Sequence, residues 1–140
     1  MAKTFRPGSR ESRILSRIES SKERALKLAI GQIKNVTEPL SNAVAMKLIE
    51  EKLVETTSKQ DIQDQIERCL QKLTHAEAFD IDYQIAPFRN IVSRPSVIGL
   101  YLTAFVVEQL IKHRSVEDIY GSDEEIYNCI NRQVAKFILQ

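Results

Sequence analysis

The sequence predicts an all-α fold, in which a single compact bundle of five or six helices surrounds a central apolar helix at about residues 96–112. Apolar residues recur at intervals of three and four along most of the chain, which is helical spacing. The 140 residues, 43% hydrophobic and 28% charged, match one globular domain, and no stretch rich in glycine or proline divides them. We therefore expect one domain over residues 9–140, preceded by a flexible tail at residues 1–8.

The first predicted helix begins at the N-cap Ser9 and carries an apolar stripe along one side. The stripe consists of Ile14, Leu15, Ile18, Ala25, Leu26, Ala29, Ile33 and Val36. A proline disfavours helical backbone for the residue before it, so Glu38 and Pro39 predict that this helix ends or bends there. Pro39 then opens a second predicted helix over residues 39–54, with Thr37 as its cap.

The middle of the chain combines a regular helix with an irregular segment. Ser58 and Asp61 resemble a capping box and open a third helix. Its apolar stripe consists of Ile62, Ile66, Cys69, Leu70 and Leu73. Residues 74–94 lose helical periodicity, and residues 80–85 alternate polar and apolar as a strand does. Because a lone short strand is unstable, we expect an extended loop with a short helix at residues 88–92.

The most apolar segment follows Ser96 and is apolar on nearly every side, which places it at the centre of the domain. Ser115 is predicted to cap a short helix that ends at Gly121 in the left-handed conformation. Ser122 and Glu125 form a capping box for the last helix. Its apolar stripe consists of Ile126, Ile130, Val134, Phe137 and Ile138.

The net charge of +1 conceals two oppositely charged parts. Residues 1–36 hold nine basic and three acidic residues, a net +6, whereas residues 37–140 hold eleven basic and sixteen acidic residues, a net −5. At about 100° per residue, six basic residues of the first helix fall within a stripe about 120° wide, opposite its apolar side. This basic stripe consists of Arg10, Arg13, Arg17, Arg24, Lys27 and Lys34.

Three hypotheses for the basic stripe stay open. It is a solvated helix face, or it docks on an acidic protein surface of the same or another chain, or it binds the phosphate backbone of nucleic acid. No nucleic-acid-binding motif accompanies it. The apolar side of the helix lacks the Trp and Phe that a helix lying on a membrane carries.

The irregular segment holds a candidate loop site. It consists of Asp80, Asp82, Tyr83, Arg89 and Arg94. Paired carboxylates in a loop bind divalent cations, or act as general acid and base when burial separates their pKa values. The simpler interpretation is a solvated loop.

We expect no catalytic residue, no metal site and no cofactor. His113 and Glu117 would form a metal-binding face only on one continuous helix, and Ser115 predicts a helix start between them. The chain contains no phosphate-binding loop, no GxGxxG and no GxSxG motif. Cys69 and Cys129 form no CxxC motif and are predicted to be buried free thiols.

Taken together, these features predict a cytoplasmic protein without integral membrane association. The first residues lack the apolar region of a secretory signal, and the longest apolar stretch, residues 97–107, is too short to span a bilayer. The predicted function is that of a non-enzymatic interaction protein: an adaptor, an accessory subunit or a self-associating module that forms a homo-oligomer. The alternatives are a nucleic-acid-binding accessory protein that uses the basic stripe, and a small enzyme with a site in residues 80–94.

Overall fold

A computed structural model describes the backbone of residues 9–138 and the side chains of residues 24–138. Within this part the chain forms five α-helices, one 3-10 turn and two strands of two residues each. The elements are α1 (Ser9–Glu50), β1 (Val54–Glu55), α2 (Lys59–His75), α3 (Ala78–Ile85), the 3-10 turn (Ala86–Phe88), α4 (Val97–Gln109), β2 (Asp118–Ile119) and α5 (Asp123–Phe137). The predicted all-α bundle is confirmed. The predicted tail at residues 1–8 lies outside the described residues.

Helix α4 is the buried centre of the bundle, as its composition predicts. Every residue from 98 to 106 is buried, and α4 contacts α2, α3 and α5. Ser96 caps the helix, because its Oγ accepts the N–H of Gly99 at 3.0 Å. The helix is apolar on all sides because other elements surround it.

Helices α2 and α5 pack one apolar stripe each, and both begin at the predicted caps. Ser58 accepts the N–H of Asp61 at 3.2 Å. Ser122 and Glu125 complete a full capping box, with both hydrogen bonds at 3.1 Å. The predicted apolar residues of α2 and α5 are buried, except Phe137, which is half-buried.

Pro39 does not end the first helix, so the prediction of two helices divided there is wrong. Helix α1 runs without a break through Pro39 to Glu50. A proline inside a helix removes one backbone hydrogen bond and crowds the carbonyl four residues earlier. Here Ile33 and Leu40, on either side of Pro39, are both fully buried. Thr37, predicted as a cap, instead donates its hydroxyl to the Ile33 carbonyl at 2.7 Å. Core packing on both sides therefore outweighs the local preference.

The turns that follow α1 and α4 each contain one residue with a positive φ, and neither residue is a glycine. The φ of Lys52 is 58° and that of Arg114 is 57°. After α1, the N–H of Leu53 donates to the Leu48 carbonyl at 3.0 Å, which is the hydrogen bond of a Schellman motif. Gly121 has no positive φ, so its predicted role as a left-handed helix end is wrong.

The segment after Arg114 forms a strand where a short helix was predicted. β2 pairs antiparallel with β1, with Val54 opposite Ile119 and Glu55 opposite Asp118. The hydroxyl of Thr56 fastens the same region by donating to the Ser115 carbonyl at 2.6 Å. Ser115 favours a helix start only through its local sequence. Backbone pairing with a segment about 60 residues earlier outweighs that preference.

Residues 74–94 are not the predicted extended loop. Helix α3 fills residues 78–85, and the 3-10 turn replaces the predicted short helix at residues 88–92. Ile81, Ile85 and Phe88 are buried at intervals of four and three. An alternation with period two also places residues 81 and 85 four apart. The strand-like pattern therefore concealed a helical one.

Candidate functional site

Among the described side chains of α1, which begin at Arg24, burial against the bundle begins at Ala29. Ala29 and Ile33 are buried, whereas Ala25 is exposed and Leu28 is 70% exposed. Ala25 is thus a member of the predicted apolar stripe that the described part of the chain leaves exposed. The stripe residues Ile14, Leu15 and Ile18 lie outside the described side chains.

Helix α1 begins well before this point. From residue 9 to residue 28 it comprises twenty residues, which at 1.5 Å per residue is about 30 Å of helix. At its described end, residues 24–28, only Leu26 is half-buried and the other four are exposed. This part of α1 carries the larger share of the basic stripe.

The three described residues of the basic stripe make no ion pair with any side chain of residues 24–138. Arg24, Lys27 and Lys34 are exposed. Within residues 24–138, the ion pairs are Lys47 with Glu50 at 2.9 Å, Arg89 with Asp82 at 3.1 Å, and Arg132 with Glu51 at 2.7 Å. Arg24, Lys27 and Lys34 therefore do not pair with the acidic remainder of their own chain. Arg10, Arg13 and Arg17 lie outside the described side chains.

The candidate loop site is an exposed surface around α3. The structure joins two of its five members, because the Arg89 guanidinium contacts the Asp82 carboxylate at 3.1 Å. Asp80 and Arg94 are exposed, and no described hydrogen bond or ion pair links them to that contact. Burial is what separates the pKa values of a catalytic carboxylate pair. Both aspartates are exposed, so this arrangement does not favour acid–base catalysis.

The histidines are placed apart from other metal ligands. His113 is exposed and stacks on Phe105, with ring centroids 6.2 Å apart. Glu117 lies beyond the end of α4, so His113 and Glu117 do not share a helix face. His75 is exposed in the last turn of α2. Within the described part of the chain, no three His, Cys, Asp or Glu side chains are grouped as metal ligands.

Both cysteines are buried free thiols, as predicted. Burial raises the pKa of the Cys69 thiol far above its ordinary range. Burial, together with the nearby Glu51 carboxylate, raises the pKa of Cys129 to about 12. A thiol attacks as its thiolate, so both side chains are unreactive at neutral pH.

An open cavity of about 590 Å³ lies between the end of α1 and α5. Glu51, Arg132 and Asn128 are among its lining residues. The Arg132 guanidinium is already occupied by the Glu51 carboxylate at 2.7 Å and the Asn128 carbonyl at 3.2 Å. Cys129 next to it is protonated and buried, so the cavity presents no activated nucleophile.

Sequence reasoning missed one residue beside the candidate loop site. Phe79 is 76% exposed and precedes Tyr83, which is 79% exposed, by one turn of α3. Two large aromatic rings therefore share the solvent side of a helix whose other side holds Ile81 and Ile85. Phe79 and Tyr83 are four residues apart in the sequence, and two residues at that spacing lie on the same face of a helix. This spacing could have identified the pair, but only if residues 78–85 were predicted to be helical.

Comparison of the chain with protein-family models, with curated proteins and with solved structures finds no match. Among the described residues, no helix is both long enough and apolar enough to cross a membrane. Any function proposed for this chain therefore rests on the chemistry of its own surfaces.

Proposed function

We propose that the protein is a non-enzymatic interaction protein that docks on an acidic protein surface through the amino-terminal part of α1, residues 9–28. One observation carries the proposal: at residues 24–28 the helix exposes Ala25 of its apolar stripe together with Leu28, and no ion pair joins Arg24 or Lys27 to another described side chain. A helix that is polar all round needs no partner, whereas an uncovered amphipathic helix gains free energy when its apolar side is covered. Exposed cations next to that side select an acidic partner.

The rest of the described surface supports an interaction role over catalysis. The paired carboxylates of the loop site are exposed, and the thiols are protonated. Two free thiols are typical of a reducing compartment, and we place the protein in the cytoplasm on that ground.

Photo-crosslinking in cells tests this function. A photo-reactive amino acid replaces Ala25 or Leu28 in the full chain, and the matched control replaces Thr57, which is also exposed but lies outside α1. We expect protease-sensitive adducts from positions 25 and 28 and none from position 57. Equal adducts at all three positions, or none at positions 25 and 28, would contradict the proposal.

A second candidate is nucleic-acid binding, which is favoured because Arg24, Lys27 and Lys34 are exposed and form no ion pair with another described side chain. Phosphate binding through such a stripe weakens steeply as salt rises. Filter binding at low and moderate salt, with the double variant Arg13→Ala and Arg17→Ala, measures it. Retention that falls with salt and with the double variant, together with nuclease-sensitive crosslinks at positions 25 and 28, would favour this candidate over the first.

A further inference from the structure

The solvent side of α3 has the features of a receiving surface. Phe79 and Tyr83 expose about three-quarters or more of their area, at 76% and 79%, one turn apart. Scattered single apolar side chains are ordinary on a surface, but adjacent large ones mark an interaction site. Gln84 anchors this helix by donating to the Tyr101 carbonyl at 3.4 Å, so the aromatic pair stands on a helix fastened to α4.

A groove adjoins the aromatic pair. It measures about 460 Å³ and lies between α3 and α4. Its lining residues are Tyr83, Gln84, Ala86, Pro87, Ala104, Glu108 and Gln109. Most of these side chains are small or uncharged, and the groove has the exposed ring of Tyr83 at its edge. An apolar strip of a helix can lie in such a groove.

The surroundings of the groove are acidic. Residues 77–85 contain three acidic residues and no basic one, and Glu108 on α4 is also exposed. Of the cations in the segment that follows α3, Arg89 is held by Asp82 at 3.1 Å and Arg94 is exposed. Glu77 and Asp80 have no ion-pair partner among the described residues. A phosphate backbone or an anionic membrane would be repelled here, whereas a basic helix would be attracted.

The same chain contains such a helix. Residues 9–28 hold six basic and three acidic residues, a net +3 against the −3 of residues 77–85. The helix also carries Ile14, Leu15 and Ile18 on the side opposite its basic stripe. Because α1 is one continuous helix, residues 9–28 cannot fold back, and Arg24 and Lys27 form no ion pair with the side chains of residues 24–138. A second copy of the chain can supply both the acidic residues that pair with the basic stripe and the groove that covers the apolar side.

The two surfaces lie at the same end of the bundle. α2 runs antiparallel to α1, because Lys59 donates to Asn42 near the start of α2 while Thr74, near its end, shares a groove with Lys34. α3 begins three residues after α2 ends, and so it lies towards the end from which residues 9–28 lead away. Two copies can therefore exchange these segments reciprocally. That arrangement closes as a two-fold dimer and not as a filament.

We propose that Phe79, Tyr83 and the acidic residues beside them receive residues 9–28 of a second copy, so that two copies dock reciprocally. This inference rests on the proposed function, since it names the partner of the same helix. It adds a receiving surface and a stoichiometry of two.

Light scattering coupled to size-exclusion chromatography tests the inference on the full chain, over concentrations from about 1 to about 100 µM. One double variant reverses the charge of the docking helix, residues 9–28, with Arg24→Glu and Lys27→Glu. The other reverses the receiving charge with Glu77→Lys and Asp80→Lys. We expect a wild-type dimer, association weakened at least about tenfold in each double variant, and a restored heterodimer when the two double variants are mixed.

The charge-swapped mixture separates docking from misfolding, because two unfolded variants do not rescue one another. The matched charge control is Arg68→Glu with Lys72→Glu on α2, where both side chains are exposed. A third double variant, Phe79→Ser with Tyr83→Ser, is compared with Met46→Ser, which changes another exposed apolar residue. We expect the aromatic variant to dissociate and both controls to stay dimeric.

Three outcomes would overturn the inference: a wild-type monomer at every concentration, a dimer indifferent to both charge reversals, or a mixture that stays monomeric. A monomer whose positions 25 and 28 still crosslink to another protein would overturn the second-copy partner and leave the proposed function standing. Loss of those crosslinks would remove the proposed function itself.

Discussion

Helix α4 and the amino-terminal part of α1 both carry apolar residues at helical spacing, and they end in opposite surroundings. Every residue of α4 from 98 to 106 is buried. At residues 24–28 of α1, in contrast, Ala25 and Leu28 face solvent. The difference shows that apolar periodicity predicts a helix and its inward side. It does not predict whether the same chain supplies the surface that covers that side.

The largest expected difference between the two helices is in stability. Leu102→Ala in α4 removes a fully buried side chain and lowers the free energy of unfolding by about 2–5 kcal/mol. Leu28→Ala in α1 changes it by less than about 0.5 kcal/mol, because the side chain is 70% exposed. Urea unfolding at low protein concentration measures both. A cost for Leu28→Ala similar to that for Leu102→Ala would mean that the chain covers this part of α1 after all.

A second expected effect is a loss of bundle stability in alkali. The thiols of Cys69 and Cys129 have an ordinary pKa of 9.0, and burial raises the pKa of each in the folded state. The folded state thus keeps its protons while the unfolded chain loses them, so stability is full below pH 9 and falls as the pH rises. Between pH 8 and pH 10 the loss reaches at most about 1.4 kcal/mol for each thiol.

Denaturant unfolding under reducing conditions at a series of pH values measures this loss. The double variant Cys69→Ala and Cys129→Ala is the control, and its stability changes less steeply over the same pH range. A wild-type curve that is flat from pH 8 to pH 10 would show that the thiols are not held protonated. Above pH 10 a further decline is expected from Tyr101, because burial raises its pKa to about 12.

Two glycines in these helices are expected to give effects of opposite sign, and the effect at Gly31 is the smallest of all. A Cβ at Gly99 would lie 2.7 Å from Ser96 Oγ and 2.9 Å from Tyr127 Cε1, where α4 approaches α5 closely. Gly99→Ala therefore destabilises by about 1–3 kcal/mol. A Cβ at Gly31 in α1 meets nothing within 4 Å, so Gly31→Ala stabilises by about 0.5–1 kcal/mol. Thermal unfolding of both variants measures whether each substitution lowers or raises the stability. A loss of stability in Gly31→Ala would reveal a covered face on α1.

Much of the fold was predictable, because the signals that specify α2, α4 and α5 are local. The caps at Ser58, Ser96 and Ser122 and the stripes that follow them need no knowledge of the rest of the chain. Two of the wrong predictions involve distant parts of the chain. Continuation through Pro39 depends on burial on both sides of it, and β2 depends on pairing with β1.

The candidate surfaces were only partly predictable for the same reason. The spacing of the basic stripe indicated an uncovered face, and Arg24, Lys27 and Lys34 are exposed. Phe79 was missed because its role depends on α3 being a helix, which Ile81 and Ile85 establish through contacts with the core. A phenylalanine is expected in the core from its residue type, and only the folded structure shows that Phe79 is exposed to solvent.

The continuity of α1 between residues 28 and 29 fixes the rotational phase of its amino-terminal part relative to the bundle. No flexible joint separates the two parts, so a partner bound to residues 9–28 is held at one angle to the domain. Inserting one alanine after residue 28 turns the basic stripe by about 100°, whereas inserting seven turns it by only about 20° and moves it about 10 Å away. If the helix is rigid, the affinity for the partner rises and falls with the number of inserted residues, with the period of about 3.6 residues of an α-helix.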